Sequence, residues 1–323
     1  MVLLLNANWR ERLSKTAAMR AKPIHVEIVT PVYNRRETTL RCLRSLSRID
    51  CTGINVHVII VDDGSSDGTS EAIREQFPKV QLVQGDGTWH YTAGTNRGIE
   101  AALKRNPDYV LAINNDSIFE EQFLRHLVNC AEENPRTVVG PVLLLWDTPH
   151  KVFQVGFHWQ TWYGGWRPRL SQTIWTIPDH PFDVEVIVGN CVLLPVTAIR
   201  EMGLMDEKSF PYGFGDCEYT PRMRRAGWRL LIEPRSRVWC EPNTYEPSPR
   251  GMTTRKMLDV LLKDYVSVWN LKRQFVSRWE SGPTRVQGVA AFGIQFIRLG
   301  LKWWGLGGKW PTWPDEPLNG KRS

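Results

Sequence analysis

Three acidic clusters in this 323-residue chain carry residue types that could do chemistry. Asp62-Asp63-Gly64-Ser65 follows the apolar run at 56–61. A carboxylate at a strand end can accept a hydrogen bond from a nucleobase imide or orient a ribose. It can equally cap the next turn. Asn114-Asn115-Asp116 follows YVLAI at 109–113 and offers hard oxygen donors. Mg²⁺ or Mn²⁺ takes one or two protein carboxylates and fills its remaining positions with substrate phosphates and water. The same residues could cap a helix over 119–133. Asp216 and Glu218 open a helix near 216–226, with Arg222 one turn on. A carboxylate there can serve as a general base toward a hydroxyl, or it can complement the helix dipole.

These clusters need elements to position them. VEIVT at 26–30 and VHVIIV at 56–61 read as buried strands, VQLV at 80–83 as a third and YVLAI as a fourth. Helices are expected over 37–49, from Thr69 to Phe77, over 95–105 and over 119–133. Alternating strands and helices with short connections give a parallel, right-handed, doubly wound sheet. Ligands bind such sheets beyond the carboxyl ends of the strands. Four successive strands here deliver polar groups to that one rim: Thr30 and Tyr33, Asp62 and Asp63, Asp86, and Asp116. After residue 138 the pattern turns irregular and aromatic, with strand candidates at 184–188 and 191–194 and a helix near 197–202.

Composition narrows the class. With 42% hydrophobic and 23% charged residues, 25 Gly and 21 Pro, the chain is globular, not fibrous, coiled-coil or disordered. The net charge of +7 sits at the ends. Residues 1–22 carry five basic side chains against one acidic, and 285–323 carry six against two. A nearly neutral body argues against nucleic acid as a partner; basic ends suit an anionic membrane surface. The six cysteines form no CxxC pair, which argues against zinc. No secretory signal or spanning apolar run is visible, so free thiols in a reducing cytoplasm are expected.

TPVYN at 30–34, IIVDDGSSDGT at 59–69, AGTNRGIEAAL at 93–103 and NND at 114–116 together resemble the family-2 glycosyltransferases of the glycosyltransferase-A fold. GNCVLLP and GLMDEKSFPYGFGDCEYTPRMRRAGW are similar to the acceptor half of that family. The likeness spans about residues 24–240 and is greatest to the rhamnosyltransferase-like bacterial subgroup, which often carries NND in place of DxD. It implies an α/β fold: a Rossmann-like, mostly parallel sheet flanked by helices, with a C-terminal helical extension. The implied domains are a basic segment at 1–23, a catalytic domain at 24–245 and a helical extension at 246–323. The catalytic domain divides into a nucleotide-sugar half, 24–137, and an acceptor half, 138–245. The implied activity is inverting transfer from a UDP- or dTDP-sugar, dTDP-rhamnose among them, to a saccharide or lipid-linked saccharide.

The resemblance also implies residue roles. Pro31, Tyr33, Asp62, Asp63, Asn96, Arg97, Asn114 and Asn115 would bind the nucleotide sugar. Asp116 would hold Mg²⁺ or Mn²⁺, and Asp216 would be the catalytic base. Trp159, Trp162, Asn190 and Glu218 would meet the acceptor; the aromatics could instead fill the core. Three departures stand out. Gly215 replaces the first acid of the family's ED pair, NND lacks one DxD carboxylate, and Cys240 stands where many relatives have a His. A soft thiol is a poor ligand for Mg²⁺. Beyond 245, helices are expected over 254–280 and 284–304, with Trp303, Trp304 and Trp310 beside Lys302 and Lys309. Such clusters favour the membrane headgroup layer, which would place the protein peripherally on the inner face of the cell membrane. The alternatives are a nucleotidyltransferase, which lacks its Gly-rich phosphate loop here, a glycosidase, or a catalytically impaired fold acting as a glycan-binding scaffold.

Overall fold

The β-branched run after Pro23 forms β1 (Ile24–Val32), and a second forms β2 (Ile54–Asp62). They pair in parallel over all nine positions, so Val32 lies opposite Asp62. The fold is that of a computed structural model, which describes residues 23–168, 172–241, 252–264, 267 and 269–306. β3 (Gln81–Gln84) extends the sheet beside β2, and β4 (Tyr109–Ile113) lies on the other side of β1, both parallel. The intervening helices are α1 (Arg36–Leu46), α2 (Thr69–Gln76) and α3 (His90–Leu103).

Past β4 come β5 (Ser117–Phe119), α4 (Phe123–Glu133) and the long β6 (Thr137–Leu145). The helix expected over 119–133 therefore begins later, because Phe119 is drawn into strand pairing. β7 (Val152–Gln154) pairs with β6; β8 (Phe157–Gln160) and β9 (Gly165–Pro168) form a separate hairpin. β10 (Phe182–Asp183), β11 (Cys191–Pro195), α5 (Val196–Met202), α6 (Gly215–Arg225) and β12 (Arg229–Cys240) complete the domain. The strand order is β10-β12-β6-β11-β4-β1-β2-β3, and β11 runs antiparallel to β4 and β6. Residues 184–188 form no strand; Val186 makes one isolated bridge to Phe157.

Side-chain alternation divides the core into two layers. Ile28, Ile60 and Leu111 face Leu43, Ile73 and Leu127 of α1, α2 and α4. Val29, Val61 and Val110 face Ile99, Ile199 and Met223 of α3, α5 and α6. Gly98 allows α3 its close approach, since a Cβ there would sit 2.1 Å from Val29 Cγ1.

The helix expected over 254–280 is two: α7 (Thr254–Leu262) and α8 (Leu271–Ser281). Asp264 takes the Ser267 N–H and Asn270 takes the Arg273 N–H. Both side chains compete for backbone donors and so favour a turn and a new helix start. α9 (Arg285–Trp303) follows. The basic segment at 1–23 (all but Pro23), the boundary at 245/246, Lys309 and Trp310 lie outside the described residues.

Candidate active site

The parallel strands end together, and their following loops surround a cleft of about 420 Å³. Pro31 lines it from the end of β1, Tyr33 and Arg35 from the loop that follows, Asp63 from just past β2, and Asn115 from the turn after β4. His90 and Tyr91, at the start of α3, line the same cleft. Tyr33 is 56% exposed and presents a ring at the rim.

Asp62 and Asp63 are both buried and fully engaged. Asp62 accepts the Ser65 N–H at 2.9 Å and the Ser70 hydroxyl. Asp63 accepts Gly87 N–H at 2.9 Å and His90 N–H at 2.8 Å, clasping the loop 85–90. Gly85 is required in that clasp: a Cβ there would lie 2.6 Å from Asp63 Oδ1. Asp63 thus reaches the cleft, whereas Asp62 fixes the turn behind it.

The turn after β4 is anchored by Asn114 N–H donating to Asn190 O at 3.0 Å and by Asn115 Nδ2 donating to Thr39 Oγ1 at 2.9 Å. Asp116 is treated differently. Its Oδ2 lies 3.8 Å from Arg35 Nη1, while its Oδ1 is buried without a hydrogen-bond partner. The amide oxygen of Asn114 is likewise buried and unpartnered. Burial raises the Asp116 pKa above the usual carboxylate range; Arg35 pulls it down and Glu241 pushes it up.

Asp216 sits in the first turn of α6, after Phe214 in the left-handed region at φ 66°. Its Oδ2 accepts Gly189 N–H at 2.7 Å, and Tyr91 donates its hydroxyl to Gly189 O at 3.0 Å. Gly189 therefore joins Asp216 to a residue of the cleft wall. Burial raises the Asp216 pKa, against the opposing hydrogen bonds from backbone N–H groups.

Other expected site residues lie elsewhere. Asn96 is buried, donating to Met205 O and Glu207; Arg97 pairs with Glu100 and Glu207. Glu218 pairs with Arg222 at 2.7 Å, and Arg222 also donates to Met202 O and Leu204 O, so this pair locks α5 to α6. Trp159 packs edge-on against Trp166 at 5.0 Å, while Trp162 is 87% exposed. Cys240 is core: buried, with its pKa pushed up to about 12 by burial, and 3.8 Å from Ser117 Oγ. The structure adds Arg35, Tyr91 and Tyr212 to the cleft. Tyr212 packs against His90 with the rings tilted by 36° and their centroids 4.1 Å apart. Arg35 was visible as a basic residue directly after a strand end; Tyr212 had no such signal.

The C-terminal helices dock on the loops around residues 163–164 and 213. Arg278 Nε donates to Gly164 O at 2.7 Å, Arg298 donates to Tyr163 O, and Arg273 donates to Gly213 O at 3.1 Å. Burial lowers the Arg278 pKa to about 10. Among the described residues no helix is long and apolar enough to cross a membrane.

Known proteins resemble this chain in sequence and in fold. Residues 27–177 match the family described as Glycosyl transferase family 2. The N-acetylglucosaminyl-diphospho-decaprenol L-rhamnosyltransferase of Mycobacterium tuberculosis is 25% identical over 268 residues, covering 75% of this chain and 85% of that protein. The probable glycosyltransferase YdaM of Bacillus subtilis is 22% identical, covering 82% and 61%. Two solved structures share the fold. GalNAc-T7 with UDP, GalNAc and Mn²⁺ superposes with a TM-score of 0.57 at 13% identity, covering 86% of this chain and 55% of that one. S. aureus TarS 1-349 superposes with a TM-score of 0.52 at 14% identity, covering 86% and 72%. Over residues 27–177 the chain is similar to glycosyltransferase family 2, its relatives include a rhamnosyltransferase, and it carries the glycosyltransferase-A fold.

Proposed function

We propose that this glycosyltransferase moves a sugar from a UDP- or dTDP-linked donor, dTDP-rhamnose among them, to a saccharide or lipid-linked saccharide of a bacterial surface polysaccharide, with inversion. The carrying observation is that two carboxylates with raised pKa lie just behind the wall of one cleft. Asp116 adjoins it through Arg35, and Asp216 through the Gly189–Tyr91 contact.

Among the described residues no three His, Cys, Asp or Glu side chains converge into a metal cage. The unpartnered oxygens of Asp116 and Asn114 nevertheless suit a hard cation that draws its other ligands from a diphosphate and water. Asp116, with the Asn114 amide beside it, would hold Mg²⁺ or Mn²⁺. Such an ion, when bound, neutralises charge building on a leaving diphosphate. The protein's own part is positional and acid–base. Pro31, Tyr33 and Asp63 would bind the nucleoside, and Asn115 the sugar-phosphate end. Asp216 takes the proton from the acceptor hydroxyl as its oxygen bonds to C1. The bond from C1 to the diphosphate oxygen breaks on the opposite face, and the nucleoside diphosphate leaves. Trp162, exposed above the hairpin, suits a sugar face.

A membrane-surface location at the inner, cytoplasmic face belongs to the same reading. α9 turns Val286, Val289, Phe296 and Ile297 outward, with Trp304 just beyond it. An apolar stripe near basic residues suits the headgroup layer.

The test is turnover of a panel of UDP- and dTDP-sugars with Mn²⁺, with product configuration read by NMR. Inverted sugar product from one donor is expected. No turnover of any donor, with glycan binding intact, would instead favour a catalytically impaired scaffold.

A further inference from the structure

Arg35 links two acids that lie far apart in sequence. Its backbone is fixed, because its carbonyl accepts Thr39 N–H at 2.9 Å and Thr39 Oγ1 at 2.8 Å. Thr39 Oγ1 in turn accepts Asn115 Nδ2, tying the start of α1 to the turn after β4. The Arg35 side chain is 42% exposed and has room to move. One of its nitrogens faces Asp116 Oδ2 at 3.8 Å, and the other donates to Glu241. A single guanidinium therefore spans the acid at the end of β4 and the acid just past the end of β12. It serves Asp116 poorly: the contact is long for an ion pair, and Oδ1 has no partner.

Register explains why Glu241, and not its neighbour, can take part. Cys240 pairs with Ser117 inside the sheet and is buried. Glu241 is the next residue, past the strand, and its side chain is 39% exposed. Neighbouring positions alternate in direction, so Cys240 packs inward and Glu241 is left at the rim. A carboxylate is also the harder ligand of the two.

We propose that Glu241 is the second carboxylate of the divalent-cation site and that Arg35 is its counter-ion in the metal-free chain. The two carboxylates balance one dication, whereas one guanidinium leaves them a net negative charge. On metal binding Arg35 leaves the pair and turns into the cleft it already lines, where it meets the donor diphosphate. Arg35 thus makes metal and diphosphate binding interdependent. This rests on the cation site of the preceding section.

The experiment is Mn²⁺ titration of the full chain followed by EPR, with and without UDP, on wild type, Glu241→Gln, Asp116→Asn and Arg35→Met. Melting curves confirm folding, as both Glu241 and Arg35 are partly exposed. Glu241→Gln is expected to weaken Mn²⁺ binding about tenfold or more and to add about one water to the bound ion. Arg35→Met is expected to tighten Mn²⁺ binding in the absence of UDP and to weaken UDP binding in the presence of Mn²⁺. Unchanged affinity and hydration in Glu241→Gln, with binding lost in Asp116→Asn, would overturn the role of Glu241 and leave the one-carboxylate site standing. Weaker Mn²⁺ binding by Arg35→Met without UDP would overturn the exchange. No Mn²⁺ binding by wild type, with or without UDP, would overturn both this inference and the cation site beneath it.

Discussion

At the end of β2, Asp62 and Asp63 together accept hydrogen bonds from Ser65, Ser70, Gly87 and His90. At the end of β4, Asp116 has one oxygen with no partner and the other 3.8 Å from an arginine. The two rims carry the same residue type on parallel strands that lie on either side of β1. One spends its carboxylates on holding loops, and the other keeps an acceptor unspent in a desolvated place. A buried acceptor without a partner costs free energy, so its persistence points to a partner that arrives with substrate. Asp216 shares with Asp116 only a pKa raised by burial, since its Oδ2 accepts the Gly189 N–H.

The comparison can be broken in several ways. The largest effect should come from Asp216→Asn, which keeps an acceptor for Gly189 N–H but removes the base. Transfer should fall roughly 10²–10⁴-fold, the usual range for a general base, with UDP binding retained. A variant within a few-fold of wild-type turnover would remove Asp216 from the proposed role. Next comes Asp63→Ala, which strands two loop N–H donors now held by a charged acceptor. It should cost about 3 kcal/mol of stability by chemical denaturation. A negligible loss would mean that the β2 rim is not the structural one.

A smaller effect follows from pH. The Asp216 carboxyl has a folded pKa above its unfolded value. The folded state therefore favours its protonated form, and stability is lost as the pH rises through the folded value. Asp216→Asn escapes that loss. It should melt above wild type at neutral pH, and the gap should close as the pH falls below the unfolded carboxylate range, about 4. For wild type, the acid limb of turnover should lie above that range. Asp63→Asn, which puts a neutral acceptor in place of the charged one held by Gly87 and His90 N–H, should melt below wild type. The smallest effect is Trp162→Ala: stability should stay within about 0.5 kcal/mol, since the ring is 87% exposed. Acceptor KM alone should rise.

The two halves also differ in how much their sequence discloses. β1, β2 and β4 are runs of β-branched and apolar residues whose alternation matches the two core layers. Their rim acids follow directly. The sequence could not separate Asp62 from Asp63, because which one caps and which one lines depends on Gly85, Gly87 and His90 arriving from another loop. Asn96 and Arg97 looked like nucleotide contacts by resemblance, yet their partners are Met205 and Glu207, over a hundred residues on. After residue 145, positions are set by single long-range bonds such as Arg278 to Gly164 O and Arg273 to Gly213 O, which leave no period to read. The run at 184–188 is apolar enough for a strand, but its backbone bonds are split between Leu230, Phe157 and the Thr220 hydroxyl, and only Val186 bridges.

The most direct test of the unspent β4 rim is a thermal-shift titration of UDP and dTDP, with and without Mn²⁺, on wild type and Asp116→Asn. A diphosphate at about 100 times its Kd should stabilise wild type by roughly 2.7 kcal/mol. The account predicts that this happens only with Mn²⁺ and is lost in Asp116→Asn. Equal stabilisation without metal, or in the variant, would contradict it.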